Sequence, residues 1–226
     1  MKKVLQLMVI LLGSQLFSAC NAQQKDGNRK PSPTAKKQVG GNFENSEFTY
    51  YAIPKQVRPI DTSEGWKQDG QKILLTGTVY AVDGKTLAPG VLLYYYHTNT
   101  SGRYLHKPDV PRSMPPNNLG QTHGYIRGWV KTGKDGKYFI YTVRPGSYPT
   151  SQEPAHIHVT VKEPNEVKEY YIDDFLFDAD PFLTAARRKK LEQRAGNGIV
   201  KMHGKNGILT GERNIILGLN IPGYAN

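Results

Sequence analysis

Cysteine is almost absent from this sequence: Cys20 is the only one in 226 residues. A single cysteine cannot form a disulfide within the chain, and it cannot supply a multi-thiolate zinc or iron–sulfur site. Any metal is therefore expected to bind through nitrogen and oxygen ligands. Long apolar runs are also missing, because the best candidate, residues 4–12, falls far short of the roughly 20 residues that a membrane-spanning helix needs.

The N-terminus has the pattern of an export signal. Lys2 and Lys3 precede a short apolar stretch, and residues 16–20 resemble the bacterial lipobox that ends in a lipidated cysteine. We therefore predict a lipoprotein signal over residues 1–19, lipidation at Cys20, and a lipid-anchored location in the bacterial cell envelope. An ordinary secretory signal that ends near Ala19 or Ala22 is the alternative.

Acidic residues are scarce, with 19 Asp and Glu against 30 Lys and Arg. Removal of residues 1–19 would leave 28 basic and 19 acidic residues, a net charge of +9. This excess favours anionic partners such as lipid headgroups, polyanionic glycans or a carboxylated small substrate. Nucleic acid is not expected as a partner of an exported protein, and a solvated basic surface with no partner is the alternative.

The chain divides into a tether and one predicted domain. Residues 20–45 are polar and rich in Gln, Lys, Gly and Pro, which is typical of a flexible tether. Residues 46–226 form the predicted domain, and its first part, residues 46–70, is expected to lack regular structure. From Lys72 onwards, short β-rich runs alternate with Asp-Gly and Pro-Gly turns, which predicts an all-β, antiparallel β-sandwich. The expected strands are residues 73–82, 91–99, 125–132, 137–143, 155–161 and 214–221.

One short helix is predicted near the C-terminus. Asp180 is suited to the N-cap, Pro181 to the first helical position, and Gly196 to the end of a helix of roughly three turns. Its basic residues are expected to form a solvated face.

The best candidates for chemistry are His156 and His158, which lie two residues apart in a predicted strand. Side chains at this spacing point to one face, so both imidazoles can reach one ion. Two solvent-facing histidines on an exposed strand are the alternative. Because thiolates are excluded, further ligands would be carboxylates or phenolates, and Tyr104 and Tyr148 each lie in a turn that follows a predicted strand. Two phenolates would indicate ferric iron.

Several motifs in order resemble the intradiol ring-cleavage dioxygenases over roughly residues 72–221. They are a Gly-x-Tyr after a strand, a Thr-x-x-x-Gly-x-Tyr hairpin, a Pro-Gly-x-Tyr-Pro loop and a Pro-Ala-His-Ile-His strand. The resemblance implies a prealbumin-like β-sandwich and one non-haem Fe(III) held by Tyr104, Tyr148, His156 and His158. It also implies O2-dependent opening of a catechol-type ring between the two hydroxyl-bearing carbons, with Tyr148 as the ligand that leaves the metal.

The sequence departs from this family pattern at Glu153, where catechol-cleaving relatives usually carry Arg three residues before the first histidine. A carboxylate there is expected to disfavour simple catechol and to favour polyhydroxylated or catecholamine-like aromatics. We therefore take Glu153 as a substrate-binding candidate. Arg127 is a second candidate, because it could supply the missing positive charge, as could Arg103 or Arg144.

Two other hypotheses remain open. Residues 76–96 and 135–148 also resemble a non-catalytic prealbumin-like module of the carboxypeptidase-regulatory type, a binding domain of the cell envelope. Such modules lack the His-x-His strand, so His156 and His158 distinguish the two hypotheses. A degenerate dioxygenase that keeps the metal but has lost catalysis is the third.

Overall fold

The computed structural model of the protein describes residues 37–41, 46–205 and 207–224. The predicted signal, the lipidation site at Cys20 and most of the predicted tether lie outside the described residues. The described part contains twelve short strands and very little helix. The elements are α1 Ser46–Tyr50, β1 Ile60–Thr62, a 3-10 helix Glu64–Lys67, β2 Lys72–Tyr80, β3 Leu92–Tyr96, β4 Arg127–Lys131, β5 Lys137–Val143, β6 His156–Lys162, β7 Tyr170–Tyr171, β8 Phe175–Phe177, α2 Ala185–Lys189, β9 Ile199–Val200, β10 Met202–Lys205, β11 Ile208–Glu212 and β12 Ile215–Ile216.

The strands form two sheets, so the predicted all-β class is confirmed. The first sheet has the order β1-β5-β2-β11-β10, with β12 also paired to β2. The second has the order β4-β3-β6-β8-β9, with β7 also paired to β6. In β2, buried and partly buried residues alternate along the whole strand, as expected for a strand with one face on the core. The main apolar cluster joins Ile73 and Leu75 of β2 to Leu93 of β3 and Ile157 of β6.

The prediction of a purely antiparallel sandwich is wrong in detail. The pairs β2–β5, β3–β4 and β3–β6 are antiparallel, but β1–β5, β2–β11, β2–β12 and β8–β9 are parallel. A parallel pair needs a long crossover, and a run of apolar residues identifies a strand without identifying its partner. Residues 46–70 were expected to be irregular, yet they supply α1, the edge strand β1 and the 3-10 helix. The predicted last strand, 214–221, is reduced to Ile215–Ile216.

The predicted helix of three turns is also wrong in length and in its cap. Helix α2 has five residues, and the N-cap is Thr184, whose hydroxyl accepts from the Arg187 N–H. Asp180 instead stabilises a turn by accepting from the Phe182 N–H at 3.0 Å. The helix ends with Lys190 as its C-cap, and the backbone is left-handed at Gln193, where φ is 54°. No helix in the described part of the chain is long and apolar enough to cross a membrane.

Candidate metal centre

The two candidate histidines lie on the outer face of the second sheet. His156 and His158 are on β6, and Ile157 between them is fully buried in the core on the opposite face. In the register of the sheet Tyr96 of β3 is paired with His158, so both side chains are on the outer face. The rings of Tyr96 and His158 stack with their centroids 4.6 Å apart. This contact restricts the orientation of the His158 ring.

The two candidate tyrosines lie on loops that pack against each other through their backbones. The Tyr104 loop follows β3, and the Tyr148 loop follows β5. A Cβ on Gly102 would lie 1.9 Å from the carbonyl oxygen of Ser147, and a Cβ on Gly146 would lie 2.4 Å from that of Thr100. Only glycine permits such an approach. The Gly-x-Tyr spacing in both motifs therefore brings the two phenols together.

The hydroxyls of the two tyrosines and the Nε2 atoms of the two histidines form one cluster, which we call the Tyr/His cluster. The Tyr104 and Tyr148 hydroxyl oxygens are 3.1 Å apart. The Tyr148 oxygen is 3.2 Å from His156 Nε2, and this atom is 3.1 Å from His158 Nε2. Ligands that share a metal at about 2.0–2.1 Å lie about 3 Å from their neighbours. The spacing thus suits four ligands of one ion.

Hydrogen bonds on the far side of each imidazole fix its tautomer. His156 Nδ1 lies 2.7 Å from the carbonyl oxygen of Pro154, and His158 Nδ1 lies 2.9 Å from Oδ1 of Asp174. Both oxygens are acceptors, so each Nδ1 carries a hydrogen and each neutral ring has its lone pair on Nε2. Two lone pairs therefore face each other across 3.1 Å. This arrangement needs a cation, or a shared proton, between the two rings.

The electrostatics of the cluster keep both phenols protonated in the absence of a metal. Burial raises the pKa of Tyr104, and burial together with the nearby Glu153 charge raises the pKa of Tyr148. Burial alone would lower the pKa of His158, but the charge and hydrogen bond of Asp174 outweigh it and raise that pKa. Burial opposes ionisation of Asp174, yet the attraction of His158 holds its pKa below the usual value. Ionisation of the two phenols near neutral pH therefore requires a strong Lewis acid.

Asp174 is the one member of the site that sequence reasoning missed. The pairs His156–Leu176 and Ile157–Phe175 join β6 to β8, and one further step along this register places Asp174 beside His158. His156, His158 and Asp174 together could also offer three metal-binding atoms within 4.8 Å of one another. Asp174 nevertheless contacts Nδ1 of His158, on the ring edge away from the Tyr/His cluster. We assign it the role of a supporting residue that orients His158.

Glu153 lies beside the cluster, whereas the proposed cationic alternatives lie elsewhere. The exposed Glu153 lines a cleft of about 440 Å³ that His156 and Asp174 also line. Its charge contributes to the raised pKa values of Tyr148 and His158. Arg144 pairs with Asp180 at 3.0 Å, and Arg103 is exposed. The structure therefore places Glu153 near the four candidate ligands. It shows no contact between these ligands and the side chain of Arg103 or Arg144.

Arg127, the other substrate-binding candidate, is fully buried in a second polar cluster on the same face of the sheet. It donates to the Tyr94 hydroxyl at 2.9 Å and to the carbonyl oxygens of Phe48 and Arg112. Its guanidinium also lies over the Trp129 ring, 4.9 Å from the centroid. These contacts engage the Arg127 guanidinium inside the protein, and its assignment to substrate binding stays a prediction.

The fold and the site together define a β-sandwich protein with a candidate metal centre built from nitrogen and oxygen ligands. A family model described as Dioxygenase (Dioxygenase_C) matches residues 47–199. This match covers more than half of the chain, and the similar curated proteins are catechol and protocatechuate dioxygenases. The chain belongs to the intradiol dioxygenase family.

Two curated relatives show the extent of the sequence similarity. The protocatechuate 3,4-dioxygenase beta chain of Burkholderia cepacia is 30% identical over an alignment of 124 residues, and the match covers 50% of this chain and 48% of that protein. Catechol 1,2-dioxygenase 1 of Acinetobacter lwoffii is 30% identical over 132 residues, 51% of this chain and 39% of that protein. The chain thus spans about half or less of the length of these relatives.

Solved structures agree on the fold. The dioxygenase domain of a dioxygenase carbohydrate-binding fusion from Streptomyces sp. SirexAA-E has a TM-score of 0.52 at 20% identity, covering 73% of this chain and 91% of that one. The 3-chlorocatechol 1,2-dioxygenase of Rhodococcus opacus 1CP has a TM-score of 0.51 at 14% identity, and the match covers 73% of this chain and 68% of that one. At these identities the likeness shows a shared fold alone.

Proposed function

We propose that the protein is a non-haem Fe(III) dioxygenase that opens a catechol-type ring between its two hydroxyl-bearing carbons with O2. The observation that carries the proposal is the pair of imidazole Nε2 atoms that face each other at 3.1 Å, next to two phenol oxygens. Tyr104, Tyr148, His156 and His158 would hold the ion. Intradiol cleavage by the relatives of this family supports the same reaction class.

The donor set favours ferric iron over softer or less acidic ions. Phenolate oxygen is a hard ligand, and imidazole is acceptable to iron, zinc and copper alike. Because burial raises the pKa of both Tyr104 and Tyr148, only a strongly acidic ion would bind them as phenolates. When bound, the ferric ion supplies the Lewis acidity that allows these phenols and a catechol to ionise.

Tyr148 is the residue that we propose to handle a substrate proton. Its hydroxyl lies between Tyr104 and His156, within 3.2 Å of both partner atoms. The raised pKa of Tyr148 makes its phenolate a stronger base than ordinary tyrosinate, and so able to take a proton from a catechol hydroxyl. Tyr104 has no imidazole contact of this kind among the described residues, and we propose that it stays a permanent ligand.

The test is ring opening by the purified, iron-loaded protein, followed by loss of the catechol absorbance and by mass spectrometry of the product. We expect a muconate-type diacid that carries both atoms of ¹⁸O2. The Tyr148→Phe variant should keep iron through three ligands but turn over at least about tenfold more slowly, given the usual contribution of general acid–base groups. Iron binding without ring opening of any catechol would instead identify a degenerate dioxygenase. Absence of iron would favour the non-catalytic module.

We also propose that the protein is exported and anchored to a membrane of the cell envelope through lipid on Cys20. The lipobox-like residues 16–20 and the polar stretch that follows support this location. The polar residues 21–45 would allow the domain to stand away from the membrane surface.

A further inference from the structure

The cleft beside the Tyr/His cluster has a second wall that the proposed function does not use. His156, Glu153 and Asp174 line it, and so do Arg187 and Lys190. Arg187 belongs to α2, and Lys190 is the C-cap of that helix. Two residues of the basic run that the sequence suggested to be a solvated face, Arg187 and Lys190, therefore line the same cleft as His156 of the Tyr/His cluster.

Most of the acidic groups around this cleft are already engaged. Asp174 pairs with His158, and Asp173 accepts from the Gln193 N–H at 2.8 Å. Glu192 pairs with Arg194. Three charged side chains of the cleft remain without a hydrogen-bond or ion-pair partner in the described part of the chain: Glu153, Arg187 and Lys190. Their sum is one positive charge.

The three free charges lie in two places. Glu153 is at the metal side, since its charge influences Tyr148 and His158. Arg187 and Lys190 lie on α2, an element that supplies no member of the Tyr/His cluster. Apolar side chains, including Leu183 and Leu191, also line the cleft. The lining is thus suited to a ligand with an apolar body and a negative charge away from the reacting end.

The size of the cleft also exceeds the needs of a bare ring. Its volume of about 440 Å³ lies in the range of about 300–1,000 Å³ that is typical of sites for drug-sized ligands.

We propose that the substrate is a catechol whose ring carries an extended side chain ending in a carboxylate or similar anion, which binds at Arg187 and Lys190. This inference rests on the proposed function and adds the substrate class. It differs from the expectation of a catecholamine-like substrate, because the cation of such a substrate would meet the two free positive charges of Arg187 and Lys190.

The experiment measures equilibrium binding to the iron-loaded protein under anaerobic conditions, by calorimetry, so that turnover does not interfere. The probes are 3-(3,4-dihydroxyphenyl)propanoate, its neutral primary amide and the cationic dopamine. We expect the carboxylate to bind more tightly than the amide and dopamine to bind least tightly. Arg187→Gln and Lys190→Gln should each reduce the carboxylate-to-amide affinity ratio by about 2- to 5-fold, the usual range for partly exposed charge pairs.

Lys189→Gln is the matched control, because Lys189 is an exposed cation on α2 that does not line the cleft. It should leave the affinity ratio unchanged. Equal affinity for all three probes, or the same loss in Lys189→Gln as in the other two variants, would overturn the inference while ring opening still supports the dioxygenase. If none of the three probes binds and none undergoes ring opening, the proposed function is overturned as well.

Discussion

Two polar clusters occupy the outer face of the second sheet, and they differ in how well their hydrogen-bonding groups are satisfied. Arg127 donates to one hydroxyl and two carbonyls, and the hydroxyl of Tyr94 can in turn donate to His123 Nδ1 at 2.7 Å. In the Tyr/His cluster, by contrast, the acceptor atoms of His156 and His158 face each other. The hydrogen-bonding groups of the first cluster are satisfied without a ligand, whereas the second needs a cation, or a shared proton, between its two imidazoles.

The comparison teaches that burial and charge do not by themselves mark a functional site. Arg127 is the largest fully buried side chain in the described part of the molecule, yet all of its contacts are internal. The histidines of the Tyr/His cluster have equally good partners on their Nδ1 sides, but these partners leave the Nε2 lone pairs directed at one point. An unsatisfied geometry of this kind is what indicates a metal.

The largest expected effect is the loss of stability when Arg127 is removed from its cluster. Arg127→Met leaves the buried carbonyl of Phe48 and the partly buried carbonyl of Arg112 without this donor, and an unsatisfied buried acceptor costs about 1–3 kcal/mol. We expect the free energy of unfolding in urea to fall by about 3 kcal/mol, with iron bound normally by the folded fraction. Arg58→Met, at an exposed arginine, should change it by less than about 0.5 kcal/mol. Loss of iron from folded Arg127→Met protein would show that the two clusters are not separable.

A smaller effect is expected from the residue that orients His158. Asp174→Asn keeps the shape of the side chain but removes the charge that holds the Nδ1 hydrogen at 2.9 Å. Changes of this kind typically reduce metal affinity by about 10- to 100-fold. Competition against a chelator would measure the change, and Asp173→Asn is the control because its carboxylate accepts from the Gln193 N–H instead. Equal iron affinity in Asp174→Asn and wild type would contradict the supporting role.

The pH dependence of stability should reveal the titration of His123, the histidine of the cluster around Arg127. Burial, with the nearby Arg127 charge, lowers the pKa of His123 to about 3, whereas the unfolded chain has the ordinary value of about 6.5. As the pH falls below about 6.5, His123 takes up a proton in the unfolded state but not in the folded state. The free energy of unfolding therefore decreases as the pH falls from about 6.5 to about 3, the pKa of His123 in the folded protein. The slope is about 1.4 kcal/mol per pH unit for one histidine.

The measurement is urea unfolding of the metal-free protein at several pH values between 7.5 and 5. His123→Gln should lose less stability over this interval than wild type, because glutamine does not titrate. His97, whose pKa burial lowers to about 4, should still contribute in both proteins. Parallel curves for wild type and His123→Gln would show that His123 is protonated in the folded protein.

The smallest effect on the domain is expected from Cys20→Ser, at a residue that belongs to neither cluster and lies outside the described part of the chain. It should leave iron content and unfolding unchanged but prevent lipid labelling and move the protein from the membrane fraction to the soluble fraction. Wild-type protein that is found only in the soluble fraction would contradict the lipid anchor. Ala22→Ser is a suitable control, because it retains the cysteine.

The local part of the site could be predicted from the sequence, and its long-range part could not. Strand periodicity placed His156 and His158 on one face, and turn glycines indicated the loops of Tyr104 and Tyr148. The contact of Asp174 with His158 depends on the register of β6 and β8, which no local pattern reveals. The partner of Arg127 at Phe48 lies 79 residues away, in a segment expected to be irregular.

The same reason accounts for the errors in the fold. The runs that became β2 to β6 have clear apolar patterns, and their positions were predicted to within a few residues. The parallel partners of β2 come from β11 and β12, more than 120 residues later in the chain, where the apolar pattern is short and interrupted by glycine. The predicted helix also included Gln193 and Ala195, where the backbone is left-handed and cannot continue a helix.

Iron content together with the visible spectrum tests the central claim most directly. The purified protein, reconstituted with ferric iron and desalted, should hold one iron per chain and be red-brown from tyrosinate-to-iron charge transfer. His156→Ala should be colourless and hold almost no iron while it unfolds with the same cooperativity as the metal-free wild type. Colourless wild-type protein without iron, or a His156→Ala variant that retains both iron and colour, would contradict the assignment of the Tyr/His cluster as a ferric site.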